Sequence, residues 1–272
     1  MLRSFALSLP STPESENEDA IVVTRDIGVV VDGAGLPKSM RAGCSHSVAW
    51  FAQSIAHEFH AALTTRCSTM ADALAKSIAQ VRDSHAAACD FEAGSPGATV
   101  AAWRFSQNEL EYLVLCDASV LLVDADGRCT QITDRRLEQA VDRATRELVE
   151  RTADRASIAA LRRTARVQVD ADRNREGGWW VINDDPAAAE HALTGRRRSD
   201  DLIGAVACSD GATRAFDLLS THTLDQFAAL CISGRAEEIA THIRHTETDT
   251  ACALRDEGMK THDDLTVAAS SW

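Results

Sequence analysis

Three short apolar runs of this chain meet aspartate at one end, and that recurrence restricts what the chain can fold into. Val29-Val30-Val31 runs into Asp32-Gly33, residues 202–208 run into Ser209-Asp210-Gly211, and Asp263-Asp264 leads into Leu265-Thr266-Val267. Asn17-Glu18-Asp19 opens a fourth run, Ala20-Ile21-Val22-Val23. Apolar, β-branched runs bounded by turn signals suit buried strands. Carboxylates gathered at strand ends repel one another and raise their own pKa values unless a cation neutralises them. Oxygen-only donors suit Mg²⁺ or Mn²⁺ rather than zinc. Two such ions a few ångströms apart can hold a bridging hydroxide for in-line attack on phosphorus. A glycine after the aspartate lets a carbonyl or a substrate phosphate come close. Asp-Gly is also a strong hairpin signal, and Asp126-Gly127, flanked by short strands, fits that simpler role. Asp32-Gly33 differs, because a helical pattern follows it.

The remaining elements follow from periodicity. The two runs on either side of Thr24-Arg25-Asp26 predict a hairpin. Cys44, Val48, Phe51, Ile55 and Phe59 are spaced as one helix stripe, and Met70, Leu74, Ile78 and Val81 as a second, with the turn of a helix pair near 64–68. Strand signals return at 98–103, 111–115 and 120–123, and Asp124-Ala125-Asp126-Gly127 turns into 128–133. Residues 135–166 read as helical, with Leu137, Val141, Ala144 and Leu148 as the apolar stripe. Trp179-Trp180-Val181-Ile182 reads as a short strand and 184–199 as irregular. Helices fill 213–255, and 265–269 is a closing strand. Residues 1–10 read as a strand or arm, so first and last strands are expected in one domain. No strict βαβ alternation appears, which argues against a doubly wound parallel sheet.

Composition excludes several classes. The 272 residues carry 28 Lys+Arg against 41 Asp+Glu, a net charge of −13. Such a field repels nucleic acid and anionic membranes. Arg196-Arg197-Arg198 is the one tight basic cluster and reads as a solvated loop. No apolar run approaches the roughly 20 residues of a membrane span, and the N-terminus lacks a secretory apolar core. The eight cysteines, Cys44, Cys67, Cys89, Cys116, Cys129, Cys208, Cys231 and Cys252, contain no C-x-x-C pair, so no zinc or thioredoxin signature is expected. A reducing cytoplasm is the simplest setting.

Other candidate motifs fail. Gly33-Ala34-Gly35-Leu36-Pro37-Lys38-Ser39 has Pro37 where a phosphate-binding loop needs glycine. In His57-Glu58-Phe59-His60 the second histidine falls one residue early for a metalloprotease helix. Asp124-Ala125-Asp126-Gly127 lacks the spacing and final glutamate of a calcium loop. Cys44-Ser45-His46 suggests a nucleophile, but Cys44 falls on the helix stripe and reads as core, as do Trp179 and Trp180.

Six pieces in order carry a family resemblance: Asn17-Glu18-Asp19-Ala20; Val30-Val31-Asp32-Gly33-Ala34-Gly35; Gly97-Ala98-Thr99-Val100; Leu115-Cys116-Asp117-Ala118; Cys208-Ser209-Asp210-Gly211; and Asp263-Asp264-Leu265-Thr266-Val267. Together they resemble the metal-dependent serine/threonine phosphatases of the PP2C (PPM) family in its compact bacterial form, over nearly the whole chain. The resemblance implies an α+β fold, a four-layer αββα sandwich with two central, mostly antiparallel sheets, in one domain over 1–272. It implies two Mn²⁺ or Mg²⁺ ions, with Asp32 bridging both, the Gly33 carbonyl on one, and Asp210 and Asp263 completing the set. Glu18 and Asp19 would orient waters on the ions, and Asp117 offers a third, weaker metal position. The segment at about 133–200 contains the family's flap. The implied reaction is hydrolysis of phosphoserine or phosphothreonine in proteins by a metal-bridging hydroxide, without a phosphoenzyme, in bacterial signalling opposite a serine/threonine kinase.

The chain departs from the family pattern at several positions. Glu14 stands where many members have a phosphate-gripping arginine, leaving the phosphate ligand unknown and Arg41 or Arg25 as substitutes. Ala34 replaces a histidine of eukaryotic members. The family's Gly-Asp-Ser is Cys116-Asp117-Ala118, and an aspartate expected soon after Asp210 is Arg214 or is displaced to Asp217. These changes keep two alternatives open: a slow or inactive phosphoprotein-binding module, and a small-molecule phosphatase using the same ions.

Overall fold

The computed structural model describes residues 3–34, 41–65, 69–151 and 157–272. The turn near 64–68 and the Gly35–Ser39 part of the glycine-rich stretch therefore lie wholly or partly outside the described residues. The predicted hairpin forms, with β2 (Asp19–Val23) pairing β3 (Ile27–Ala34) around Thr24, Arg25 and Asp26. β4 (Gly97–Ser106), β5 (Glu109–Leu115) and β8 (Leu193–Arg198) extend it into a five-stranded sheet of order β2-β3-β4-β5-β8. The second sheet has the order β1-β10-β9-β6-β7. Its strands are β1 (Arg3–Leu9), β6 (Ser119–Asp124), β7 (Cys129–Thr133), β9 (Leu202–Cys208) and β10 (Leu265–Ser271). Every pairing is antiparallel, and β1 pairs β10 from Arg3–Ser271 to Leu9–Leu265, so the first and last strands meet.

Why the central strands are apolar without alternation is clear from their two faces. Val29 and Val31 pack under α1 (Val48–Thr64) and α2 (Met70–His85), whereas Val30 faces the other sheet. Val206 and Val267 pack under α6 (Leu224–Ile232) and α7 (Ala236–Asp249), whereas Ala205, Ala207 and Ala268 face inward. The inter-sheet layer mixes alanines with Val, Leu and Phe105 around Trp103, which is fully buried and donates from Nε1 to the Ala268 carbonyl at 3.3 Å. Helix, sheet, sheet and helix thus stack as four layers, the expected α+β sandwich. No described helix is long and apolar enough to cross a membrane.

Several local expectations are corrected. Helix α1 starts at Val48 behind an Ser47 cap whose side chain accepts from the Trp50 N–H, so Cys44 precedes the helix rather than lying on its stripe. The charged segment 135–166 is two helices, α3 (Arg136–Arg151) and α4 (Ile158–Val169), packed through Leu137, Val141, Ala165 and Val169 onto Cys116, Trp179 and Val181. Trp179–Ile182 makes only isolated bridges, because its backbone partners are split between Arg173 and Ala98. Arg196–Arg198 is not a loop but part of edge strand β8, where Arg196 pairs with Glu111 at 3.0 Å; charge on an edge strand discourages further strand pairing. Helices α5 (Asp210–Asp217) and α8 (Ala251–Asp256) complete the chain.

Candidate active site

The side-chain period of two places the acids. On β3, Val30 faces the opposite sheet, so Asp32 faces it too; on β2, Ile21 and Val23 face it, so Asp19 does as well. Asp19 and Asp32 are cross-strand partners at the same end of the hairpin. Asp117 follows β5, Asp210 begins α5 directly after β9, and Asp263 and Asp264 immediately precede β10. Five chain segments therefore deliver carboxylates to one end of the inter-sheet space.

Their electrostatics are those of a site short of positive charge. Burial pushes Asp32 well above the ordinary carboxylate range, and Asp19, Asp210, Asp117 and Asp263 push it further. Burial raises Asp19 to about 7, against hydrogen bonds from Thr266 and Ser209, with Asp210 and Asp264 adding to the rise. Asp210 is raised by burial and then by Asp117, and Asp263 by burial and then by Asp210. Asp117 is raised by burial, with the Arg166 charge opposing. Glu18 is raised by burial and by Asp264, while Lys260 and Arg41 oppose. The Asp19 Oδ2 atom is buried without a hydrogen-bond partner. An orphaned carboxylate oxygen, an all-oxygen donor set and mutual repulsion together fit divalent cations of the Mg²⁺ or Mn²⁺ kind.

The framework is held by contacts that sequence motifs do not announce. The Asp264 carboxylate accepts from the Ser11 N–H at 2.6 Å and the Glu18 N–H at 2.7 Å, tying the β1–β2 connection to the start of β10. A Cβ on Gly33 would collide with Val48 and come within 2.7 Å of the Glu18 carbonyl, and one on Gly211 would collide with the Asp264 carbonyl. Both glycines are thus required by close backbone approach. Arg214, at the position of an expected aspartate, is buried; it donates to the Lys260 and Thr261 carbonyls and lies 3.0 Å from Glu247. That substitution anchors the loop carrying Asp263. Cys116 sits at φ +65, the left-handed region where the family's glycine is free of strain.

Lys260 was not singled out by any motif. Its Nζ lies 2.8 Å from Asp263 Oδ1. Partial desolvation works against its charge, and the carboxylates of Asp263, Asp210 and Asp32 outweigh that, so its pKa is raised. Beside the acids opens a cavity of about 570 Å³ whose charged lining is balanced: Asp117, Asp134, Glu138, Asp210, Asp217 and Asp263 face Arg135, Arg162, Arg163, Arg166, Arg214 and Lys260. The basic residues come mostly from α3, α4 and their flanks, inside the 133–200 segment. Glu14, in the place of the family's phosphate-gripping arginine, is exposed on the β1–β2 connection; of the two suggested substitutes, Arg41 acts on Glu18. Arg25 is not brought to the site: it is exposed in the hairpin turn, and five residues of β3, roughly 17 Å of strand, separate that end from Asp32.

Comparisons with known proteins agree with this fold. The family model described as protein phosphatase 2C matches residues 14–246. The serine/threonine phosphatase PstP/Ppp of Mycobacterium tuberculosis superposes with a TM-score of 0.58 at 18% identity, covering 99% of this chain and 98% of that one. The catalytic domain of PstP in complex with two manganese ions gives 0.55 at 19% identity, over 99% and 97%. Serine/threonine phosphatase Stp1 of Staphylococcus aureus gives 0.60 at 12% identity, over 100% and 95%. No curated protein matches the chain. The match over most of the sequence, on a two-sheet sandwich with acids at one end, means that this chain belongs to the protein phosphatase 2C family of metal-dependent serine/threonine phosphoprotein phosphatases.

Proposed function

We propose that this phosphatase hydrolyses phosphoserine and phosphothreonine at the carboxylate end of its two sheets, with Asp32, Gly33, Asp210 and Asp263 holding two Mn²⁺ or Mg²⁺ ions. Asp117 offers a place for a third. The observation that carries this is the convergence of Asp19, Asp32, Asp117, Asp210 and Asp263 from five segments, each raised in pKa by burial. When bound, the ions supply Lewis-acid stabilisation of the phosphoryl oxygens and activation of water for direct attack. Glu18 and Asp19 orient what the primary ligands hold. The cavity's six basic side chains, set against six acids, suit a dianionic phosphate ester once two divalent ions cover the carboxylates. Lys260 and the arginines of α4 supply the positive charge that Glu14 does not. The natural substrate is a phosphoprotein made by a serine/threonine kinase, met in the cytoplasm.

The test is p-nitrophenyl phosphate hydrolysis by the purified chain in Mn²⁺, Mg²⁺ or EDTA, followed by phosphopeptides. Turnover that needs Mn²⁺ or Mg²⁺ and is lost in both Asp32→Asn and Asp210→Asn is expected. Metal binding without turnover would replace this with a phosphoprotein-binding role, and turnover confined to small phosphate esters with a small-molecule phosphatase.

A further inference from the structure

Among the described residues, one group of metal-donor atoms lies within 4.8 Å of one another, and it is not the aspartates: it is Cys44, His46, His85 and Cys89. The expectation that the cysteines hold no zinc signature rested on the missing C-x-x-C pair. The fold instead joins a C-x-H segment ahead of α1 to an H-x-x-x-C segment that ends α2.

The geometry points to a structural zinc site formed by Cys44, His46, His85 and Cys89. Tetrahedral zinc with bonds of about 2.3 Å to sulfur and about 2.0–2.1 Å to nitrogen sets the ligand spacing at about 3.6 Å from sulfur to nitrogen and about 3.8 Å from sulfur to sulfur. His46 Nδ1 is 3.5 Å from both Cys44 Sγ and Cys89 Sγ, and the two sulfurs are 3.4 Å apart. His85 supplies an independent sign. It is only 5% exposed, its Nδ1 lies 2.5 Å from the Val81 carbonyl, and its Nε2 is buried with no hydrogen-bond partner. A carbonyl only accepts, so Nδ1 carries the proton and Nε2 keeps a bare lone pair. A ring fixed in this way through its other nitrogen is the usual setting of a metal-bound histidine.

The surroundings are built around the four side chains. His46 stacks on Trp50 at 4.0 Å, and Trp50 and Phe91 meet the His85 ring edge-on at 5.0 Å. Backbone bonds clasp the two segments: the Gly43 N–H donates to the Ala93 carbonyl at 3.2 Å, and the Asp90 N–H to the Gly43 carbonyl at 2.8 Å. Two thiolates and two neutral imidazoles balance the charge of Zn²⁺, and they select it over the oxygen-seeking ions of the carboxylate site. The ion staples the segment leading into α1 to the end of α2.

The experiment strips the reduced full-length protein of metal and titrates it with Co²⁺. One equivalent should bind with a thiolate-to-cobalt charge-transfer band in the near ultraviolet and the intense visible bands of a tetrahedral centre. One equivalent of Zn²⁺ should bleach both. The bands should persist in Asp32→Asn and be lost in Cys44→Ser and Cys89→Ser. The wild-type titration decides alone if those variants do not fold. Absence of a charge-transfer band in the reduced wild-type chain would overturn the site, whether or not Cys44 and Cys89 join as a disulfide on oxidation. Its survival in the Cys44→Ser/Cys89→Ser double variant would do the same.

Discussion

Asp19 and Asp32 stand directly opposite each other across β2 and β3, two acids paired at the mouth of an apolar inter-sheet layer. Like charges at such a position destabilise a strand pair, and Asp19 is held up to about 7. Asp32→Asn should therefore raise the melting temperature of the metal-free chain while lowering Mn²⁺-dependent turnover by more than about 10²-fold. Thermal melts in EDTA and initial rates in Mn²⁺ check both halves, and a fall in the EDTA melting temperature would contradict the repulsion argument.

The pH dependence of the metal-free protein follows from the same residue. Asp19 has a folded pKa of about 7 against an ordinary 3.8. Between these values the folded state holds a proton that the unfolded chain has released, so stability falls as pH rises through this window. Melting temperatures in EDTA should decline from pH 4 towards pH 8, and added Mn²⁺ should restore the loss most strongly at the upper end, where it meets least competition from protons.

At the proposed metal site, Lys260 would compete with an ion for Asp263, on which its Nζ sits at 2.8 Å. Its side chain is 66% exposed, so the pair has the modest strength of a surface contact. Lys260→Met should tighten Mn²⁺ binding by up to about fivefold, matching the roughly 0.2–1 kcal/mol of an exposed ion pair. The gain should shrink in high salt. Calorimetric titration of Mn²⁺ at two ionic strengths is the measurement.

Glu247 is fully buried and lies 3.0 Å from Arg214, 2.8 Å from Arg244 and 2.9 Å from His262. Arg214 in turn holds the carbonyls of Lys260 and Thr261. Glu247→Gln leaves a buried guanidinium without its counter-charge and should cost about 3–5 kcal/mol in urea unfolding. Mn²⁺ affinity should fall as well, because the loop bearing Asp263 loses its anchor.

The sequence by itself determined the strand runs, the acids at their ends and the order of the six family pieces. Those features are local: β-branched runs and Asp-Gly steps are legible within a few residues, and helix stripes repeat at fixed spacing. What only the tertiary structure decided depends on residues far apart in the chain. Arg214 looks like a lost aspartate until α7 brings Glu247 beside it. Cys44 looks like a helix-core residue until Ser47 is seen to cap α1 and leave it outside. Lys260 and the α4 arginines carry no motif, and acquire meaning from the cavity they share with Asp117, Asp210 and Asp263. Cys44-Ser45-His46 and His85–Cys89 are each uninformative alone, because a four-coordinate site needs donors from both segments within a few ångströms. That proximity is set by how α1 and α2 pack, which periodicity does not encode.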